Sequence, residues 1–176
     1  MAKTIGIFVE QDYQDLEVWY PLLRHKEAGH RALVIGTGSA ASYKGKYGYP
    51  IQAETTADQV KAADLDGILI PGGWAPDYLR RCEAVLRLVR ECDQAGKLVA
   101  AICHAGSVLV SAGILRGRTV SFFFAIRADV EAAGARFVDS EVQVDRNLIT
   151  ARKPEDLPAF CRELLKALSE RHPALS

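Results

Sequence analysis

Short apolar runs alternate with segments of helical periodicity along nearly the whole chain. Residues 4–9 (TIGIFV), 32–35, 67–70 (GILI) and 98–102 (LVAAI) are unbroken by polar alternation, which predicts strands covered on both faces, as in a parallel sheet. After the first run, Leu16, Trp19, Leu22 and Leu23 recur at helical spacing, with Asp15 as the expected N-cap, Pro21 in the early turns and Gly29 as the stop. A short helix is expected over 58–63. Leu79, Val85, Leu86, Leu88 and Val89 mark a helix that stops near Gly96, and a small-residue helix opens at Cys103-His104-Ala105-Gly106 and ends near Gly113. A strand over 120–124, a helix over 126–133 closed by Gly134 and a short run at 136–138 follow. Residues 141–144 and 147–150 predict a hairpin turning on Asp145-Arg146, and the closing helix, from about Pro154 to Leu168, starts with proline and acidic residues. Between the second and third runs, 36–50 is rich in Gly, Ser, Tyr and Lys and reads as a surface loop or small hairpin turning near Gly45 or Gly48.

Repeated strand-helix alternation implies a mostly parallel sheet with helices on both faces. The length of 176 residues suits one domain, 1–176, with no repeat or linker to divide it. Ligands in such sheets bind outside the carboxyl ends of the strands, where the connections switch direction. Chemistry is therefore expected just after Val9, Ile70 and Ile102.

Composition narrows the partners. Apolar residues make up 49% and charged residues 25%, which argues against disorder, collagen and coiled coil. Lys plus Arg equal Asp plus Glu at 22 each, so the basic stripe that nucleic acid requires is not expected. No run reaches the ~18 apolar residues of a membrane span. The first residues pass directly into a strand pattern with no separate hydrophobic region and cleavage site, which predicts a cytoplasmic protein. In that reducing compartment Cys82, Cys92, Cys103 and Cys161 are expected as free thiols. There is no Cys-x-x-Cys pair, and His25, His30, His104 and His172 are scattered rather than set at ligand spacing, so a structural zinc is not expected.

Cys103 follows a buried strand and opens a helix, where free backbone N–H groups and the positive helix end lower a thiol pKa. On that reasoning it should ionise more readily than its three siblings. Ala101, Ala105 and Gly106 supply the small flanks that a nucleophile elbow demands. A buried inert cysteine is the alternative, and the one assigned to Cys82, Cys92 and Cys161. His104 serves as a base only if the turn swings its ring back toward the sulfur, whereas its N–H can donate to an oxyanion, with the Gly73 amide as second donor. Gly72-Gly73 could equally be a plain strand exit. Glu17, in the first turn of its helix, can share a proton with the sulfur or simply complement the helix dipole. Asp77 can orient His104 or cap the helix beginning at Pro76.

The segments Asp15-Leu16-Glu17 with Pro21, Leu69-Ile70-Pro71-Gly72-Gly73 with Pro76-Asp77, and Ala101-Ile102-Cys103-His104 with Gly106 resemble the ThiJ/PfpI superfamily. The resemblance is to the short PfpI-like branch that includes bacterial general stress proteins. It continues through Leu115-Arg116-Gly117-Arg118, Glu141-Val142, Val144-Asp145 and Asp156-Leu157-Pro158-Ala159-Phe160, so it covers essentially the whole chain. It implies a flavodoxin-like, class I glutamine amidotransferase-like three-layer sandwich that forms a homodimer or a dimer-based hexamer. By the same resemblance Cys103 is the nucleophile, Glu17 its carboxyl partner, His104 the adjacent base, and Gly73 with His104 the oxyanion site. Asp77 stands where PfpI-like peptidases carry a Glu that completes an intersubunit triad, Gln14 where some relatives carry an acid, and Ser121-Phe122-Phe123-Phe124-Ala125 lacks a proline often found after this strand.

The leading expectation is a stress-protective cysteine enzyme acting on reactive aldehydes or early glycation adducts, of glyoxalase or deglycase type and without a cofactor. An intracellular cysteine peptidase with a Cys103-His104-Asp77 triad across subunits is the second. A redox sensor or chaperone-like protein using an oxidisable Cys103 is the third. A glutamine amidotransferase ranks lower, because the one late histidine, His172, precedes Pro173 in a tail read as frayed.

Overall fold

The computed structural model describes residues 1–170, so His172 and Pro173 lie outside the described residues. The first half runs β1 (Thr4–Phe8), α1 (Asp15–Glu27), β2 (Arg31–Gly36), β3 (Ser42–Lys44), β4 (Pro50–Gln52), β5 (Thr55–Thr56), β6 (Gly67–Ile70), α2 (Ala75–Leu79), α3 (Glu83–Gln94) and β7 (Leu98–Ile102). The second half runs α4 (Gly106–Ala112), β8 (Thr119–Val120), α5 (Arg127–Ala132), β9 (Arg136–Phe137), β10 (Val142–Asp145), β11 (Leu148–Ala151) and α6 (Leu157–Glu170).

Among the described residues the main sheet has the order β10-β11-β7-β6-β1-β2-β5. It is parallel throughout except for β10, which pairs antiparallel with β11. Helices α1 and α6 pack together on one face, and α3 and α4 on the other. Coverage on both sides is why the central strands carry no polar alternation: Ile5, Ile7 and Phe8 of β1, Ile68, Leu69 and Ile70 of β6 and all of β7 are buried. On α3 the buried residues Val85, Leu86, Leu88, Val89 and Cys92 form one stripe at helical spacing.

Several local expectations change in the fold. The N-cap of α1 is Gln14, whose Oε1 accepts from the N–H groups of Leu16 at 2.7 Å and Glu17 at 3.3 Å. Asp15 is instead the first helical residue. Its carboxylate accepts from Tyr47 N–H at 2.9 Å and Tyr49 N–H at 3.0 Å, tying the β3–β4 hairpin to α1. The helix marked by Leu79 to Val89 is two helices, because the chain turns extended at Cys82. The segment over 58–63 forms two 3-10 turns, Ala57–Gln59 and Ala62–Asp64. The expected strand over 120–124 stops at Val120, which lies with β9 outside the main sheet. Beyond it the Phe123 N–H donates to the Cys103 carbonyl at 3.2 Å, drawing this segment toward the end of β7 rather than along a strand partner. The 141–150 hairpin forms as anticipated, with Arg146 turning at φ 56°.

Strand β1 bonds to β2 on one side and β6 on the other. The crossover through α1 thus leaves in one direction, and those through α2, α3 and beyond in the other. A crevice opens at this switch beyond the carboxyl ends of β1, β6 and β7.

Candidate active site

Cys103 is the first residue beyond β7 and is held at φ 63°, a left-handed conformation that costs a non-glycine residue ~1–3 kcal/mol. The turn swings the chain directly from strand into helix and needs small neighbours. Ala101 and Ala105 are fully buried, and a Cβ on Gly106 would approach Ile126 to 2.8 Å and Phe122 to 2.9 Å. The elbow read from the sequence is therefore present.

Glu17 reaches the same point from α1. It is completely buried, its Oε2 accepts from Gly72 N–H at 2.6 Å, and its Oε1 has no hydrogen-bond partner. Gly72 makes the approach possible: a Cβ there would lie 2.6 Å from Glu17 Oε2, 2.7 Å from Cys103 Cβ and 3.1 Å from Cys103 Sγ. Carboxyl and thiol thus meet over the bare face of a glycine. Burial pushes the Glu17 carboxyl up to about 8, against the lowering effects of the Gly72 amide, a hydrogen bond with Cys103 and the charge of Lys46. At neutral pH this acid is predominantly protonated.

The Cys103 thiol departs from the sequence expectation. Burial first, and then the charge of an ionised Glu17, push it up to about 12, opposed by hydrogen bonds from the backbone N–H groups of His104 and Gly73. Cys161 is likewise pushed up to about 12 and Cys92 to about 11, both chiefly by burial. The elbow amides are where the helix-start argument put them, but with only 8% of the residue exposed desolvation outweighs them. What distinguishes Cys103 is its partner. While Glu17 is neutral its charge no longer opposes the thiolate, so the two groups titrate as a coupled pair.

The His104 ring does swing back, with Nδ1 at 3.3 Å from Cys103 Sγ. It stands beside Phe123 and Trp74, at centroid separations of 5.0 and 6.2 Å. Burial, then the charge of Lys46, lowers its pKa, leaving a neutral imidazole able to accept a proton. Gly73 takes φ 75°, and a side chain there would run into the backbone of Asp12 and Gln14. The loops are laced by Gln14 N–H to Gly72 O at 3.1 Å and Trp74 N–H to Asp12 O at 2.8 Å, which fixes the Gly73 amide toward the sulfur.

Asp77 takes neither role read for it within the chain. It lies inside α2 without making a cap bond, and its carboxylate pairs with Arg81 at 2.7 Å on an exposed surface. It lines a cleft of about 770 Å³ that His104 also borders, but no hydrogen bond joins the two. Residues that the sequence reading passed over also enter the site. Lys46, from the β3–β4 hairpin, lines a second cleft of about 570 Å³ with Cys103, His104, Trp74 and Phe123. Nothing in the local sequence of that hairpin signals its position, whereas the paired glycines at 72–73 were a visible hint of close backbone approach. Among the described residues no group of three or more His, Cys, Asp or Glu side chains is gathered as a metal site.

The chain is similar over most of its length to proteins that bear deglycase names. Protein/nucleic acid deglycase 2 of Escherichia coli strain K12 is 39% identical over 170 residues, covering 96% of this chain and 99% of its own. Deglycase PfpI of Pyrococcus furiosus is 38% identical over 157 residues, covering 89% and 94%. Among solved structures, a two-domain protein from Anabaena variabilis with DJ-1/ThiJ/PfpI-like and ferritin-like domains superposes with a TM-score of 0.93 at 40% identity. That match covers 95% of this chain and 48% of that one, so this chain spans about half of its length. The model of the DJ-1/PfpI family matches residues 3–167, nearly the whole of the described fold, and with these identities it follows that the chain belongs to the DJ-1/PfpI family.

Proposed function

We propose that this protein is a cysteine-dependent enzyme of the deglycase type that acts on reactive α-oxoaldehydes and their early glycation adducts, with glyoxalase chemistry at its centre. The observation that carries this reading is the buried Glu17 carboxyl facing Cys103 across Gly72. The deglycase names of the E. coli and P. furiosus relatives support it.

The steps follow from the geometry. The sulfur adds to the aldehyde carbon while the thiol proton passes, through His104 or Glu17, to the aldehyde oxygen. The Gly73 and His104 amides that point at the sulfur are placed to hold the developing oxyanion. In its ionised fraction Glu17 then takes the proton from the former aldehyde carbon and delivers it to the neighbouring oxo carbon while the hydroxyl proton passes to the oxo oxygen, which converts the hemithioacetal to a 2-hydroxyacyl thioester. Hydrolysis by water returns the thiol and releases a 2-hydroxycarboxylate. No oxidant or reductant enters. We expect wild-type protein to consume methylglyoxal and Cys103→Ala to lose at least about 10³ of that rate; equal turnover by the two proteins would overturn the reading.

The peptidase reading is the second, favoured by the His104 Nδ1 contact with the sulfur. It requires Asp77 of a neighbouring copy to leave Arg81 and reach His104, and loss of peptide cleavage in Asp77→Ala would be its mark. The proposal further places the enzyme in the cytoplasm, consistent with its four free cysteines, and in a homodimer or dimer-based hexamer. In support of assembly, exposed Leu16, Leu23, Tyr47 and Tyr49 gather with Trp19 around an apolar groove of about 720 Å³.

A further inference from the structure

Lys46 is positioned by its backbone rather than by a side-chain partner. Its N–H donates to Tyr13 O at 2.8 Å, the preceding Gly45 N–H donates to Tyr49 O at 2.9 Å, and Asp15 clamps the following residues through the Tyr47 and Tyr49 amides. Its Nζ lies 5.5 Å from the ring centroids of both Tyr47 and Trp74. Among the described residues it forms no ion pair, and neither does Lys153, which lines the same cleft. An ammonium group is thus held over the mouth of the Cys103 cleft with its charge unmatched. The acidic groups near it are Asp15, whose oxygens are taken by the Tyr47 and Tyr49 amides, the mostly protonated Glu17, whose Oε2 is taken by Gly72, and the exposed Glu155 on the cleft wall.

We infer that Lys46 is a specificity-determining residue that selects ligands bearing a carboxylate next to the carbon bound by Cys103, that is, 2-oxo acids whose oxo group is an aldehyde. The inference rests on the proposed addition of the thiol to aldehydes and names the charge class preferred at that same site. A carboxylate one bond from the carbon attached to sulfur projects into the cleft bordered by Lys46, Trp74 and Phe123. There it meets an exposed cation supported by two aromatic faces, with which it can form a charge-assisted hydrogen bond.

Glyoxylate is a direct probe, because its aldehyde can accept the sulfur while its carboxylate remains free. The sulfur–carbon bond forms, the thiol proton moves to the aldehyde oxygen, and nothing leaves. Methyl glyoxylate presents the same aldehyde with the charge removed. The measurement is the concentration of each compound that halves the rate of Cys103 alkylation by iodoacetamide, in wild type, Lys46→Met and Lys46→Arg. Any change that Lys46→Met imposes on the thiol itself acts on both probes and cancels in their ratio.

The expected result is that the preference for glyoxylate over the ester drops about fivefold in Lys46→Met and returns in Lys46→Arg. An unchanged ratio in Lys46→Met, with both compounds still protecting, overturns the selectivity and leaves the aldehyde chemistry standing. Failure of both compounds to protect Cys103 in wild type overturns the aldehyde reading and the selectivity with it.

Discussion

At the scale of single residues, the site turns on one missing side chain. Gly72 is where Glu17 and Cys103 meet, and any Cβ there lies within 2.7 Å of the carboxylate and of Cys103 Cβ. Gly72→Ala must push one of them aside by a large fraction of an ångström, and such misplacement costs ~100-fold in rate. Methylglyoxal turnover should fall by about that factor while the fold, followed by circular dichroism, is kept. Glu17 supplies a second prediction. Its folded pKa, about 8, lies above the ordinary 4.5, so between those values the native state holds a proton that the unfolded chain has released. Stability should therefore decline as pH rises through that window, by on the order of 5 kcal/mol in all. Glu17→Gln should flatten this decline in melts taken between about pH 5 and 8. A wild-type melting temperature that climbs with pH between about 7 and 8, above the histidine range, would contradict the protonated carboxyl.

At the scale of elements, α1 serves both the candidate site and the core. Its N-terminus brings Glu17 to the sulfur, and its inner face buries His25 completely, with Nδ1 bonded to Pro21 O at 2.7 Å and Nε2 without a partner. Burial holds the His25 pKa below its ordinary 6.5. The unfolded chain thus binds the proton more readily, so the stability present above about 6.5 is lost as pH falls below it. Thermal melts should show this acid limb in wild type and a shallower one in His25→Gln, which keeps a donor for Pro21 but cannot charge. An acid limb of the same depth in both would place its cause elsewhere. The amphipathic face of α1 was readable from Leu16 to Leu23, but its cap was not: Asp15 and Gln14 both can accept from backbone N–H groups, and the choice went to Gln14 because the hairpin amides of Tyr47 and Tyr49 hold Asp15. Competition of that kind depends on a segment some thirty residues away. The split between α2 and α3 and the short β8 escaped for the same reason, since their apolar periodicity continues across breaks imposed by packing.

At the scale of the whole molecule, the groove around Trp19 leaves Leu16, Leu23, Tyr47 and Tyr49 more than half exposed, an apolar surface that a second copy would cover. Sizing in solution should give a dimer or a multiple of it rather than the 19.2 kDa chain, and Leu16→Glu with Leu23→Glu should shift the elution toward the monomer. A wild-type monomer at micromolar concentration would exclude the assembly. The parallel sheet, the helices on both faces and the elbow at Cys103 were determined by the sequence alone, because unbroken apolar runs, helical spacing and small flanking residues are local properties that survive any reasonable packing. Tertiary structure decided the rest. It buried Cys103 deeply enough for desolvation to outweigh the helix-start amides, left the Asp77 carboxylate on Arg81, and carried Lys46 to the cleft, since ionisation and proximity depend on which distant segments exclude water and share a site.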